Sequence, residues 1–546
     1  MIVEGLDGLA ESTHDVCVIG AGPVGITLAL ELASKGKRVL VLESGGRTPS
    51  PATQELSRAE ITDPAVHDDM RITVSRQLGG TSNLWGARCQ PLDPVDFEPR
   101  GALFDASWPI RHADILPYYE KACAYANCGA PVFRSHFERL SKADDRFDTE
   151  RMERFSQRPA FQKAHAEALE SNPLISIRLN ATVIDLVLGD QDMVKSITVS
   201  DASGNTVDLA AKTVVLAMGG LETTRLLLAV QRKSPGLFGG QGGVLGRYYM
   251  AHVIGEVADV TWTDAEIDAA YDFQTDAHGS YARRRLIPSD REILEKNLPN
   301  VSFWPVVPPV ADARHRSSIL SMVFLAFAFK PIGSRLVAEV IRRYHAPKGV
   351  PKIPHILNVL RNLPSAITYA PSFLYHRYVS KMRIPGFFVR NPGLTYGLSY
   401  HAEHFPAADS RVWLTDEKDA AGLPRLAIDL KFSRKDAEAL LDAHRLLDRW
   451  LRDNKLGTVN FRQPVEQTAA AILASANHGT HHIGTSRMGR NRDEGVVDGD
   501  LRTFDAGNLY VASSSVFPTS GQANPTLTAI ALAVRLADHL ASLKLP

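Results

Sequence analysis

Three glycines in the series Gly20-Ala-Gly22-Pro-Val-Gly25 stand between a strand-like run, Asp15 to Ile19, and a helix-like run, Pro23 to Lys35. That placement constrains the fold more than any other feature of the chain. Gly20 permits a tight turn, Gly22 lets backbone approach a pyrophosphate, and Gly25 lets the helix pack closely on the strand. The helix start then offers free N–H groups and a partial positive charge to phosphate. A second strand, Arg38 to Leu42, completes a βαβ unit and ends at Glu43, where an acid binds ribose hydroxyls. An acid there disfavours a 2′-phosphate, so NADP is set aside while NAD and FAD stay open.

Three features favour FAD. The fingerprint lies at the extreme N-terminus, and a second strand-to-glycine element recurs where Thr213-Val-Val-Leu-Ala-Met218 runs into Gly219-Gly220 and a helix from near Leu221. Residues 71–93 also form a loop rich in Gly, Ser and Thr. In flavoproteins the amides of such a loop meet phosphate or isoalloxazine oxygens. Asp201-Ala-Ser-Gly-Asn205 signals a hairpin, and α/β texture returns at the end, with a strand over Asn508–Ala512 and a helix over Pro525–Ala541.

Composition removes other classes. The 546 residues are 44% apolar and 22% charged, and 61 basic residues balance 61 acidic ones, so no global field favours nucleic acid. Met1–His14 is polar and acidic, without a secretory pattern, and Ile319–Phe329 is broken by Ser321 and too short to span a bilayer. Four cysteines, Cys17, Cys89, Cys123 and Cys128, are too few for a disulfide framework and match no zinc spacing, which makes a reducing cytoplasm the default. Residues 134–158, crowded with both charges, read as a solvated surface excursion. Residues 330–390 carry eleven Lys/Arg against one acid, Glu339. That segment reads as a surface subdomain or oligomer contact, or alternatively as a membrane-surface or anionic-substrate patch.

Over nearly its full length the chain resembles the glucose–methanol–choline (GMC) oxidoreductases. The motifs are the fingerprint, Gly79-Gly80-Thr81-Ser82, Val214-Val-Leu-Ala-Met-Gly-Gly220 with Glu222 and Arg225, His481-His-Ile-Gly-Thr-Ser-Arg-Met-Gly489, and Asn508-Leu-Tyr-Val with Pro518 and Asn524-Pro525-Thr526. Met488, Gly489 and the Asn pairing look closest to the pyranose-oxidase and cholesterol-oxidase-like branches. The resemblance implies an α/β fold: a Rossmann-like FAD-binding domain of the GMC and p-hydroxybenzoate-hydroxylase-like type, with an α+β substrate domain on a mostly antiparallel sheet. The expected division is 1–110, 175–230 and 475–546 for the FAD domain, 231–474 for the substrate domain, and 111–174 as a connecting excursion. It implies FAD contacts from Gly20, Gly22, Pro23, Gly25, Glu43 and Ser44, and from Gly79, Gly80, Thr81, Asn83, Leu84 and Trp85. Val183, Ala217, Gly219, Ser513, Ser514, Asn524, Pro525 and Thr526 complete that set. Trp85 stands where glucose-oxidase-like members carry Asn. Leu84 replaces the His that bonds covalently to FAD in pyranose oxidases, so the flavin is expected to be non-covalent. Ser513 replaces the acid common in the last strand motif.

In the family His481 aligns with the active-site His and Asn524 with its His/Asn partner. Alcohol oxidation removes a hydroxyl proton and a hydride from one carbon; flavin N5 takes the hydride, and imidazole suits the base because its pKa lies near working pH. An amide does not titrate there, so Asn524 is expected to hold the substrate oxygen. Asn524 also precedes Pro525 and Thr526, a helix start whose dipole would favour negative charge at the ring edge. No metal is expected at His478, His481 and His482, since no carboxylate or Cys lies near at a familiar spacing, and His482 is expected to point away. His401-Ala-Glu-His404, within the 396–415 stretch expected on the substrate side, reads as pocket wall or solvated strand rather than catalytic. The expected function is oxidation of a secondary hydroxyl of a sugar, glycoside or cyclic polyol. The acceptor would be oxygen, a quinone or a carrier protein. The rivals are a lyase of the same fold without net oxidation, and a membrane-surface or partner-binding flavoprotein using 330–390.

Overall fold

The computed structural model describes residues 1–543 apart from 102, 105, 190, 191, 338, 381, 387 and 392, and the backbone alone of 340. Lys381 of the basic segment therefore lies outside the described residues. Val16-Cys-Val-Ile19 and Val39-Leu-Val-Leu42 are buried throughout, as strands covered on both faces must be. They form the centre of a six-stranded parallel sheet in the order Ile2–Glu4, Ile175–Leu179, Val39–Leu42, Val16–Ile19, Val214–Leu216, Leu509–Val511. Every pairing in the sheet is parallel, so the C-terminal ends of its strands lie along one edge. The helix Pro23–Ser34 packs against the C-terminal helix Thr526–Ser542, whose inner side is a run of buried Leu, Ile, Ala and Val. Between them the chain makes a three-stranded antiparallel sheet whose hairpin is held by Asp201, with Oδ1 accepting from the amides of Ser203 and Asn205 at 2.8 and 2.9 Å.

A second sheet is antiparallel throughout, in the order Val301–Val306, Thr395–Glu403, His252–Trp262, Gly457–Phe461. The helix Arg434–Asp453 covers it with Leu440, Leu447 and Trp450, and starts at a capping box between Ser433 and Asp436. This is the expected α/β class: a Rossmann-like parallel sheet beside an antiparallel one. Strand register positions two of the histidines. Ile254 and Ser302 both pair with His401, which places His401 mid-sheet, while His252 opens its strand opposite Glu403.

The expectation for 134–158 needs correction. Residues 134–146 are mostly exposed, but the strand Met152–Phe155 is buried, with Glu153 and Arg154 fully so. Charge count alone misled: Arg154 is held by Asp276 at 2.7 and 2.9 Å, and Glu153 sits among three arginines. The basic segment carries the helices Lys330–Leu336, Glu339–His345, Ile353–Arg361 and Leu363–Tyr378. Among the described residues no single helix is long and apolar enough to cross a membrane.

Candidate active site

Glycine geometry builds the first wall of the site. Gly20 has φ +104°, and a Cβ on Gly25 would run into the Gly20 carbonyl. Gly22, by contrast, has ordinary extended backbone and nothing within 4 Å of where its Cβ would stand. The open space above Gly22 belongs to a cavity of about 600 Å³ that runs from this turn to His481 and Asn524. Three helices open onto it with no side chain capping their first turns: Pro23–Ser34 after Gly22, Gly220–Lys233 after Gly219, and Thr526–Ser542 after Pro525. Their unpaired amides are donors that an anionic pyrophosphate and a polar ring edge satisfy. Glu43 lines the same cavity, its oxygens accepting from the amides of Ala21 and Gly45 at 2.9 and 2.8 Å. Burial pushes its carboxyl above the ordinary value, opposed by those two bonds and by Arg76. The residues fit FAD.

Of the expected cofactor residues, Gly20, Gly22, Pro23, Glu43, Ser44, Gly80, Thr81, Leu84, Trp85, Val183, Ala217, Gly219, Ser513, Ser514, Asn524, Pro525 and Thr526 line the cavity. Gly25, Gly79 and Asn83 are not on its wall. Gly25 sets the helix on the strand. The Gly79 amide donates to Ala21 O at 2.8 Å, and the Asn83 amide donates to Gly80 O at 2.8 Å, so both build the loop. The hydroxyl of Ser513, in place of the acid, is engaged by Ser515 Oγ at 2.6 Å. Sequence reasoning missed Arg76, which lines the cavity, donates to Ser44 Oγ at 2.9 Å and to Ser57 Oγ at 2.7 Å, and pairs with Glu222. Its only sequence signal was its place just before the glycine loop.

At the far end His481 and Asn524 converge. Asn524 Nδ2 lies 3.2 Å from His481 Nε2, and His481 Nδ1 lies 2.9 Å from His252 Nδ1. An amide N–H can only donate, so Nε2 of His481 carries the lone pair and its proton sits on Nδ1, donated to His252. Asn524 Oδ1 is buried without a protein partner, an acceptor left for a hydroxyl. His401 stacks on His252 with ring centroids 4.1 Å apart and donates through Nδ1 to Gln522 O at 2.6 Å. His478 lies 4.5 Å from His481, ring to ring. Burial first, then His478, His252, Arg88 and His482, hold His481 well below its ordinary pKa, so it is neutral and ready to accept a proton. His482 also reaches the cavity wall, its ring donating to Gly479 O at 3.1 Å, rather than facing away. His401 lines the cavity as the expected polar wall, whereas Glu403 turns inward to pair with buried Arg100.

The expectation of no metal weighed only neighbours in sequence. The fold gathers a different trio, His252, His401 and His481, whose ligand nitrogens lie within 4.8 Å of one another. A metal on His481 Nδ1 would displace the proton assigned there, so a metal in this trio and this tautomer of His481 are alternatives. His252, fully buried, is a positioning residue: it fixes the tautomer of His481. H252A is expected to lower the rate of flavin reduction by about 10²-fold with little change in KM. That is less than the ~10⁴-fold lost when a catalytic His loses a carboxylate orienter, because a neutral partner stabilises imidazolium less. H252N, whose Oδ1 can accept the same proton, should recover part of the rate; equal loss in both variants would rule the role out.

A family model described as FAD dependent oxidoreductase matches residues 15–285, and one described as GMC oxidoreductase matches 406–533. A C-glycoside 3-oxidase of Arthrobacter globiformis is 32% identical over 153 residues, a stretch spanning 28% of each chain. A 6'''-hydroxyparomomycin C oxidase of Streptomyces lividus is 24% identical over 99% of this chain and 94% of its own. The solved structure of pyridoxine 4-oxidase from Mesorbium loti shares the fold with a TM-score of 0.53 at 16% identity, covering 96% of this chain and 99% of the other. The glycine turn, the uncapped helix starts and the His–Asn pair lie in one cavity, and the chain that forms it carries an FAD-dependent oxidoreductase domain over residues 15–285 and a GMC oxidoreductase domain over 406–533.

Proposed function

We propose that the protein oxidises a secondary hydroxyl of a sugar, glycoside or related cyclic polyol to a carbonyl. The observation that carries this reading is the His481–Asn524 pair on the cavity wall, where the Nε2 lone pair of His481 is met by the Asn524 amide and Asn524 Oδ1 stands open beside it. FAD bound in this cavity supplies N5, the atom that accepts the hydride. The substrate hydroxyl takes the place of the Asn524 amide on His481: Nε2 receives the hydroxyl proton, with the Nδ1–H still donated to His252, and the Asn524 N–H turns to the substrate oxygen so that the C–H vector stays fixed. The substrate class rests on relatives named for sugar-like substrates, C-glycoside 3-oxidase and 6'''-hydroxyparomomycin C oxidase. The acceptor is oxygen, a quinone or a carrier protein. Anaerobic mixing with sugars, glycosides, sterols and aryl alcohols tests the reading: a glycoside or polyol should bleach the flavin band, and bleaching by none would leave the lyase alternative. Leu84 lines the cavity without a nucleophilic atom, which supports non-covalent FAD. Acid denaturation is expected to release the flavin into solution; a yellow precipitate would overturn this.

A second reading concerns where the enzyme works. The helix Ile353–Arg361 is inverted: its buried face carries His355 and Asn358, bonded to Ser321 and to the carbonyls of Ala311 and Ala313, while Ile353 and Leu360 are 72% and 62% exposed. The next helix exposes Ile367, Leu374, Tyr375 and Tyr378. Among the described residues Lys330, Arg335, Lys348, Lys352 and Arg361 make no ion pair. An exposed apolar face among cations fits an anionic lipid surface. A second copy fits poorly, since a two-fold interface would press two basic faces together. The four cysteines are buried and unpaired, in keeping with a reducing cytoplasm and its membrane face. The protein should float with phosphatidylglycerol-containing vesicles at low salt and detach at high salt, and I356E/L360E should not float. No flotation at low salt would end this reading.

A further inference from the structure

The substrate end of the cavity carries positive charge that the protein leaves uncompensated. Arg88, on the short strand Arg88–Cys89, lines the cavity together with Trp304, Ile254 and His401. Behind it, Arg283 and Arg285 converge on the same single carboxylate, Glu153. Arg88 Nε lies 2.5 Å from Glu153 Oε2, Arg283 Nη2 lies 2.8 Å from Oε1, and Arg285 pairs with Oε2 as well. All three guanidiniums gather around the Trp304 ring, at 5.1, 5.6 and 3.6 Å from its centroid. Glu153 is wholly buried; burial raises its pKa, but the three cations outweigh that and bring it down to about 2. The cluster thus holds three positive charges and one negative. Among the described residues none of the three arginines makes another ion pair. Arg88 Nη2 and Arg285 Nη1 are buried donors with no hydrogen-bond partner among the described residues.

Burying an uncompensated charge with open donors is unfavourable, and neutral side chains of the same shape would pack the space better. Such a cluster beside a reaction cavity is completed by an anion that enters with the ligand. We propose that Arg88, backed by Arg283 and Arg285 and seated against Trp304, binds an anionic oxygen group of the substrate, a carboxylate or a phosphate. A guanidinium fork matches either group in two parallel hydrogen bonds, and a water-poor cavity strengthens both. Anchoring the anionic end there orients the rest of the molecule relative to His481. The proposal rests on the alcohol-oxidation reading for the position of the reacting carbon, but the anion site itself does not.

A matched pair of ligands tests it: methyl β-glucopyranoside and methyl β-glucuronide, which differ only in CH₂OH against carboxylate. On the holoenzyme the glucuronide is expected to have a kcat/KM for flavin reduction about tenfold or more above the glucoside, the scale of one charge-assisted hydrogen bond. In R88Q that ratio should fall below about twofold, and R88K, which keeps the charge, should hold an intermediate value. Binding is read separately from turnover as the rise in Tm with the glucuronide, the glucoside and inorganic phosphate. A rise with the glucuronide alone assigns a carboxylate, and a rise with phosphate alone assigns a phosphate ester. If neither glycoside bleaches the flavin yet the anions still stabilise wild type and not R88Q, the sugar reading falls and the anion site stands. Equal specificity constants for the two glycosides, with no stabilisation by either anion, would overturn the proposal.

Discussion

H481Q is expected to slow flavin reduction by about 10²–10⁴-fold, the range lost when a positioned general base is removed. Glutamine keeps the size of the side chain and can still meet Asn524, 3.2 Å away, so what disappears is the titratable lone pair. A loss below about tenfold in stopped-flow bleaching would mean that another group takes the proton. The pH profile separates the two cases further. Burial and the surrounding His478, His252, Arg88 and His482 depress the pKa of His481 well below the ordinary imidazole value of about 6.5. The base is therefore neutral at neutral pH and stays so below 6.5, and the wild-type rate should begin to fall only at distinctly acid pH. A break at 6.5 would show a solvated imidazole instead. The same depression has a cost in stability with a definite sign. His252, His401, His478 and His482 are buried and neutral when folded, with lowered pKa values. Each binds its proton more readily when unfolded, so stability is full above about 6.5 and declines as pH falls below it. Thermal melts should fall in that window, and less steeply in H478Q.

What the sequence discloses and what it hides divide along chain distance. The fingerprint was legible because its constraint is local: a turn, a close approach and a helix start within six residues. His481 and Asn524 were legible through family motifs, although they stand 43 residues apart. His252 carried no signal of its own, lying 229 residues from His481, and an isolated antiparallel bridge between Met250 and Ile483 brings the rings together. Arg88 and Trp304 were equally silent. Arg88 looks like any residue after a glycine loop, and its chemistry comes from Arg283, Arg285 and Glu153, which arrive from other parts of the chain. Glu153 lay in a segment read as solvated because charged residues usually are. Here pairing, not exposure, accommodates the charge. The inverted face of Ile353–Arg361 was also beyond reach, since hydropathy shows which residues are apolar but not which side the protein covers.

G25A is expected to yield protein without flavin and with a destabilised fold, whereas G22A should lose flavin and keep the fold. The contrast comes from where each methyl would go. At Gly25 it would meet the Gly20 carbonyl, and neither partner can yield: the Gly20 amide is bonded to Leu42 O at 2.7 Å, and the Ile26 amide to Gly22 O at 2.9 Å. The helix would have to retreat from the strand, carrying with it the amides that face the cavity. Overpacking of this kind costs about 1–3 kcal/mol, and a backbone clash belongs at the upper end. At Gly22 the φ of −80° suits any residue and no atom lies within 4 Å, so the added methyl enters only the space that a pyrophosphate would occupy. Absorbance of the purified proteins near the flavin band, with melting curves of both apo forms, decides the matter. If G22A retains its full flavin content, no phosphate approaches that turn, and the assignment of the whole cavity to a dinucleotide fails with it.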